Sequence, residues 1–449
     1  MSAKNEYRKS PSEGKRSDPN KQNKQVLYED NAVVLVTSGH DRTIRMWDAL
    51  KSTCTKTIQF VDSPVTRMAL SPDKRYLAAV GAPFIKLYDV FSSSQSPILS
   101  LEGHKSAISA VKFTNDMRYL VTSSEDKSMR IWNLRTGACE QVIENNTVFN
   151  DVAIYPGFNH DIILSCDQGG FIKVWCVSKK KVLLQLELET QLVIIRRSIR
   201  TIALSPDGTL IAAGGNNGQV LVWRLTISQT FSENPTSDNL KSHKNSPNIG
   251  NRKSQNKNYK AHAELVATIP AHPDNYMTRI VFSGNGSYLV TCSSDKTAKV
   301  WAIKLTKNKN NNILVDSSNQ NTEPNTISDT QLSSDSNSQF SEQNDSINSA
   351  ISSNQINNQV NPVDDSNVQK ISSSLPYTYE LNYEIFHILK YHKGWVWDAA
   401  FSNDSGYLVT VSSDKTAALW DVMRGKVIRE FIGHEKGVLC VSLNDATTL

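Results

Sequence analysis

An all-β fold is predicted for this chain of 449 residues: a seven-bladed β-propeller whose last strand completes its first blade. Three observations carry the prediction. Tryptophan, or once a tyrosine, recurs at a blade-length period. Each period breaks into short β-branched runs divided by turn residues, and the two chain ends hold complementary fractions of one repeat.

The markers are Trp47, Tyr88, Trp132, Trp175, Trp223, Trp301 and Trp420, and Asp or Asn follows four of them. The first four gaps are 41, 44, 43 and 48 residues, close to the roughly 40–45 of a four-stranded blade of the WD40 type. The last two, 78 and 119, demand insertions. A typical unit starts at Gly103-His104, turns at Thr114-Asn115-Asp116 and again around Asp126, and ends its third strand with Trp132. The unit from His392 repeats it with Asp404, Asp414 and Trp420. Ser71-Pro72-Asp73 and Ser205-Pro206-Asp207-Gly208 are turns of the same kind.

The first unit has only three strands, near residues 33–37, 44–49 and 53–60. After the seventh unit comes Gly433-His434 and one further strand, near residues 438–443. One strand from the end and three from the start make one blade, so the ring closes without a covalent link.

Residues 227–262 and 304–378 interrupt the period and are rich in Ser and Asn with few aromatics. Such segments bury too little apolar surface to offset their ordering entropy, and both are expected to be disordered, as is a basic tail over 1–25. The propeller is thus expected in three pieces: 26–226 for blades 1 to part of 5, 263–303 for the rest of 5 and part of 6, and 379–449 for the remainder. Both insertions follow a Trp-bearing third strand and precede a fourth, which puts them on one face and leaves the other clear.

Composition narrows the function. The hydrophobic fraction of 39% lies below the roughly 45–50% of globular chains, consistent with segments outside a core. A net charge of +5 argues against a nucleic-acid-binding surface over the whole molecule. No apolar run is long enough to span a bilayer, and the polar first twenty-five residues contain no secretory segment. The six cysteines lack metal spacing. A reduced, cytoplasmic, monomeric propeller without cofactor is expected, any endomembrane association coming through partners.

Two patterns imitate chemistry. His, Ser/Thr and Asp recur together as His104 with Thr122, Ser124 and Asp126; His272 with Thr291, Ser293 and Asp295; His392 with Thr410, Ser412 and Asp414; and His434 with Thr37 and Asp41. In each the Asp lies six residues before a tryptophan (Trp132, Trp301, Trp420, Trp47), and four copies argue for structure rather than catalysis. The Asp is expected to hold the His, the His a strand hydroxyl, and that hydroxyl the indole N–H, with the choice of hydroxyl open. Gly214–Gly218 and Asp167–Gly170 are glycine-rich but join strands, whereas a phosphate loop needs a following helix.

A propeller binds with the loops that precede its inner strands. The residues one place into those strands are expected to ring the mouth: Thr66, Ser109, Asn150, Arg200, Thr278, Trp397 and Leu439. Lys393-Gly394-Trp395-Val396-Trp397-Asp398 places two tryptophans at alternate positions, flanked by Tyr276 of the preceding blade. Exposed Trp and Tyr anchor protein interfaces, so Trp395, Trp397, Tyr276, Arg200 and Asn150 are the expected partner-binding residues.

The Gly394-Trp395-Val396-Trp397 element, the stretch Thr291-Cys292-Ser293-Ser294-Asp295, the closing Gly433-His434-Glu435-Lys436-Gly437 and the opening Thr37-Ser38-Gly39-His40-Asp41 resemble the G-protein-β-subunit-like WD40 subunit of TOR kinase complexes (the Lst-eight family). The resemblance extends over residues 30–226, 263–303 and 380–445. It implies a non-catalytic subunit that docks on the TOR kinase domain, stabilises the active kinase and serves both kinds of TOR complex, with Trp395 and Trp397 as contacts. The alternative is another WD40 adaptor, of ubiquitin-ligase, RNA-processing or G-protein-β type. Residues 1–30 contain neither a heptad repeat for a γ partner nor an F-box-like apolar segment.

Overall fold

Among the described residues the strands pair into seven four-stranded antiparallel sheets. The computed structural model describes residues 33–158, 161–187, 198–231, 257–309 and 377–445. The chain divides into two units, residues 1–306 with 379–449 and residues 307–378. Within the second, the Lys307 ammonium lies 3.6 Å from the Tyr377 ring centroid.

The first unit carries the propeller. Its innermost strands are Val438–Asn444, Arg67–Leu70, Ile108–Phe113, Phe149–Ile154, Ile199–Leu204, Met277–Phe282 and Val396–Phe401, and each neighbours the next in a closed cycle. The seam lies in blade 1, where Val34–Gly39 pairs with Val438–Asn444 from Val34 opposite Asn444 to Gly39 opposite Val438. All six residues of Val34–Gly39 are buried.

The core follows from this geometry. It is split into seven apolar clusters, each straddling two adjacent blades. At the seam, Leu35 and Trp47 of blade 1 pack on Val409, Val411 and Phe431 of blade 7. Trp47 meets Phe431 edge-on with centroids 5.6 Å apart, a favoured aromatic geometry.

Both interrupted hairpins run further than composition suggests. Val220–Phe231 pairs along its whole length with Lys257–Ile269, and the corresponding strands of blade 6 are Thr297–Lys309 and Tyr377–Lys390. Residues 227–231, 257–262, 304–309 and 377–378, expected to be disordered, are therefore strand. Backbone pairing needs no apolar composition, and in blade 5 one residue of the polar run, Tyr259, is buried against Phe158 at 5.2 Å. The rest of both insertions, residues 232–256 and 310–376, lies outside the described residues, as does the tail 1–25.

The glycine-rich turns join strands. Gly214 and Gly215 belong to the strand Leu210–Gly215, and the left-handed backbone falls on Gly218 and Gly170. Gly218 is needed for space as well: a Cβ there would lie 1.7 Å from the His272 carbonyl oxygen. Among the described residues no helix is long and apolar enough to cross a membrane.

Candidate docking site

Four blades hold their upper loops with the same relay. In blade 7, His392 Nδ1 lies 2.9 Å from Asp414 and Nε2 2.8 Å from Thr410 Oγ1, which accepts the Trp420 indole N–H at 2.9 Å. Blade 3 repeats it with His104, Asp126, Thr122 and Trp132 at 2.8, 2.8 and 2.9 Å. Blade 6 uses His272, Asp295, Thr291 and Trp301 at 2.6, 2.9 and 3.1 Å. Blade 1 draws His434 from beyond blade 7 to Asp41 and Thr37, with Trp47 on Thr37, at 2.7, 2.8 and 2.7 Å.

Donor logic orients these chains. An indole N–H only donates, so the threonine oxygen accepts it and gives its own proton to His Nε2; Nδ1–H then donates to the carboxylate. The serving hydroxyl is the threonine ten residues before the tryptophan. The serines two residues later brace the turn instead, Ser124 donating to the Ala107 carbonyl and Ser412 accepting the Asp414 N–H.

A fifth member was missed from sequence. Thr43, Ser128, Thr297 and Thr416, each two residues after the Asp, donate to its other oxygen at 2.6–2.8 Å. The signal was present as Asp-x-Thr or Asp-x-Ser in all four turns. Burial alone would raise the Asp414 carboxyl, but hydrogen bonds from His392 and Thr416 hold it well below the usual range. Asp295 falls to about 2 in the same way. Burial pushes His104 below its ordinary value, against the pull of Asp126. All four relay threonines are fully buried.

Above the relays lies the mouth. Five inner strands slip register at the residue expected to ring it. Four ring residues fasten their blade to the next. Thr66 donates to the Ile108 carbonyl at 2.8 Å and Ser109 to that of Phe149 at 2.7 Å. Asn150 donates to Ile199 at 2.6 Å and Thr278 to Val396 at 2.5 Å. Asn150 is thus half-buried in a blade junction and stands apart from the other expected partner residues.

Those other four come together. The Arg200 guanidinium carbon sits 5.5 Å from the Tyr276 ring centroid, Tyr276 lies 6.1 Å from Trp395, and Trp395 lies 5.4 Å from Trp397. The strip crosses blades 5, 6 and 7. Tyr276 is 45% and Trp395 40% exposed, which is high for rings that size and gives a partner an apolar surface. The tryptophans meet for a reason other than strand alternation. Trp395 precedes the strand and Trp397 occupies its bulge, between Val396 and Asp398.

The relays set this strip in place. Asp414 accepts the Lys393 N–H at 2.9 Å, the Ser413 N–H donates to the Trp395 carbonyl at 2.9 Å, and Ser413 Oγ accepts the Trp397 indole at 2.6 Å. In blade 6, Ser294 Oγ accepts the Tyr276 N–H at 3.0 Å. Such an array can bury aromatic rings against a protein surface, and its hydrogen-bonded histidines and threonines are enclosed beneath it.

A family model described as "WD domain, G-beta repeat" matches residues 25–48, 95–133, 191–224, 263–302 and 383–421. The chain is 34% identical over 272 residues to the Target of rapamycin complex subunit wat1 of Schizosaccharomyces pombe, covering 61% of this chain and 75% of that protein. It is 30% identical to the Target of rapamycin complex subunit LST8 of Saccharomyces cerevisiae, covering 61% and 78%. With LST8 of Bos taurus it shares 32% identity over 60% of this chain and 72% of the relative.

Proposed function

Since the chain belongs to the LST8 family of WD40 proteins, we propose that it is a non-catalytic subunit of TOR complexes that docks on the kinase domain through the strip Arg200–Tyr276–Trp395–Trp397. One observation carries the docking reading: large aromatic rings stand exposed on a backbone fixed by the relays of blades 6 and 7. Binding then costs little ordering of the strip, and preorganised aromatic anchors dominate interface energetics. The non-catalytic reading is supported by the burial of Thr37, Thr122, Thr291 and Thr410, each at 0% exposure, where no substrate reaches them.

The test is a pull-down of the tagged chain from its native cells beside a Trp395→Ala/Trp397→Ala variant. Recovery of a TOR-type kinase with the wild type, and its loss from a variant with an unchanged melting temperature, is the expected outcome. Equal recovery by both would discard the strip and keep the complex. Recovery of a different assembly without such a kinase would overturn the function.

A further inference from the structure

We propose that Ser96 is a phosphorylation site for a protein kinase that requires proline directly after the acceptor serine. Among the described residues Ser-Pro occurs at Ser63, Ser71, Ser96 and Ser205. Three of these serines are built into the fold. Ser63, Ser71 and Ser205 are 7%, 0% and 4% exposed. Their hydroxyls accept the Ala82, Tyr76 and Leu210 N–H groups at 3.0, 2.8 and 2.9 Å. A kinase reaches none of them without opening a turn. Ser96 is exposed, and its hydroxyl makes no hydrogen bond among the described residues.

The loop that carries Ser96 differs from its counterparts. Between their third and fourth strands blades 1, 3, 4 and 7 use residues 49–52, 134–138, 177–180 and 422–425, whereas blade 2 uses 90–98. At its ends the Val90 N–H donates to the Arg75 carbonyl and the Ile98 N–H to that of Leu87, at 2.9 and 2.8 Å. Between these anchors the backbone is held by side chains among the described residues. Asp89 accepts the Phe91 and Ser92 N–H groups at 3.0 and 3.2 Å. Ser92 Oγ accepts the Ser94 N–H and Ser94 Oγ the Ser96 N–H, both at 3.1 Å, and Lys56 donates to the Ser92 carbonyl at 2.6 Å. Exchanging such surface bonds for water costs little, so the segment can be drawn out into a kinase cleft. Pro97 assists, because the residue before a proline is pushed toward extended backbone.

The surroundings suit the added charge. Ile98, two residues on, lines a recess of 430 Å³ with Leu87, Leu99, Met117, Leu134 and Arg135. No carboxylate lines that recess, and the exposed Arg135 guanidinium has no acceptor among the described residues. Asp89, at the start of the loop, is already paired with Arg75 at 3.4 Å. A phosphoserine of about −1.5 to −2 charge thus enters a region with an unpaired cation. In the transfer, the Ser96 oxygen attacks the γ-phosphorus of ATP and its proton passes to a base of the kinase. The bond to the bridging oxygen breaks and ADP leaves. A loop between third and fourth strands opens on the face opposite the docking strip, so the strip stays free during the reaction.

Site-resolved phosphopeptide mass spectrometry tests this on the folded full chain, incubated with ATP and a purified mitogen-activated kinase as the proline-directed probe. Ser96 should be labelled at least ten-fold faster than Ser63, Ser71 or Ser205. Pro97→Ala, at an unchanged melting temperature, should slow labelling of Ser96 at least ten-fold. The chain recovered from growing or starved native cells should carry phosphate on Ser96, removable by phosphatase. Labelling of Ser71 or Ser205 as fast as that of Ser96 would overturn the proposal, since burial would then select nothing. An unlabelled Ser96 in the probe reaction, a rate unchanged by Pro97→Ala, or native chain without phosphate at Ser96 would overturn it equally.

Discussion

Blades 5 and 7 hold the two ends of one exposed strip and hold them by different means. Blade 7 fixes Trp395 and Trp397 through five relay residues and a threefold use of its Asp414–Ser413 turn. Blade 5 has none of that. Ala213 stands where the threonine would be and Asn217 where the aspartate would be, and Arg200 is held by one bond to Asn216 at 2.6 Å. Tryptophan packing alone closes a blade. A hydrogen-bonded relay is added where a loop must keep large apolar rings in a fixed, exposed position. Blade 3 qualifies this, since it has the relay without an exposed aromatic, so the relay is necessary for such presentation and does not by itself specify it.

The largest expected effect is at the well-held end. Alanine at Trp395 and Trp397 together should abolish kinase capture, because anchors of this type contribute about 2–4 kcal/mol each, while leaving the thermal melt unchanged. Next is Asp414→Ala, which leaves His392 and three further donors, the Lys393 and Thr416 N–H groups and the Thr416 hydroxyl, without their acceptor. It should destabilise the fold by about 2–3 kcal/mol in denaturant melts and weaken capture in parallel. Asn217→Ala at the equivalent place in blade 5 should cost less than about 0.5 kcal/mol. Equal losses in the two variants would erase the distinction drawn between the blades.

Acid should separate the two kinds of blade further. The relay aspartates sit below their unfolded value near 3.8. Their contribution is present above that value and is lost as pH falls below about 4 toward the folded value. His104 is likewise lowered, from 6.5, so below about pH 6.5 the unfolded chain takes up a proton that the folded chain resists, and stability falls. Melting temperatures measured from pH 7 to 4.5 should therefore decline, and His104→Asn should flatten the decline. A slope unaltered by that substitution would remove His104 from the account. The smallest loss of capture is expected at the loosely held end: Arg200→Ala forfeits an exposed cation–π contact of about 0.5–1 kcal/mol and should weaken capture two- to five-fold without altering the melt.

The propeller was legible in the sequence because its marker is periodic: one large residue per blade at near-constant spacing, with turn chemistry between strands. The relays were legible for the same reason, four copies of one pattern. Apart from the hydroxyl two residues after each relay Asp, which recurs in all four turns, what escaped lacked such repetition. The long arms of blades 5 and 6 are built by backbone pairing through Asn, Lys and Ser, and a polar composition conceals strands that bury little besides Tyr259. Asn150 occupies the same register as Arg200, and only the length of its side chain, which reaches the Ile199 carbonyl, assigns it to a junction. The Trp395–Trp397 contact was anticipated from alternation, yet a bulge produces it. The buried ion network of Asp151, Arg279 and Asp398 comes from three separate blades, and no local window contains more than one of its members.

The seam in blade 1 has a consequence for synthesis. Val34–Gly39 is wholly buried in the finished ring, yet the strand that covers it is translated roughly 400 residues later. At about 5–20 residues per second, that strand waits some tens of seconds with an apolar edge open to any passing β-strand. The first blade therefore keeps an open edge until Val438–Asn444 arrives, and the step that covers it is the one that closes the ring.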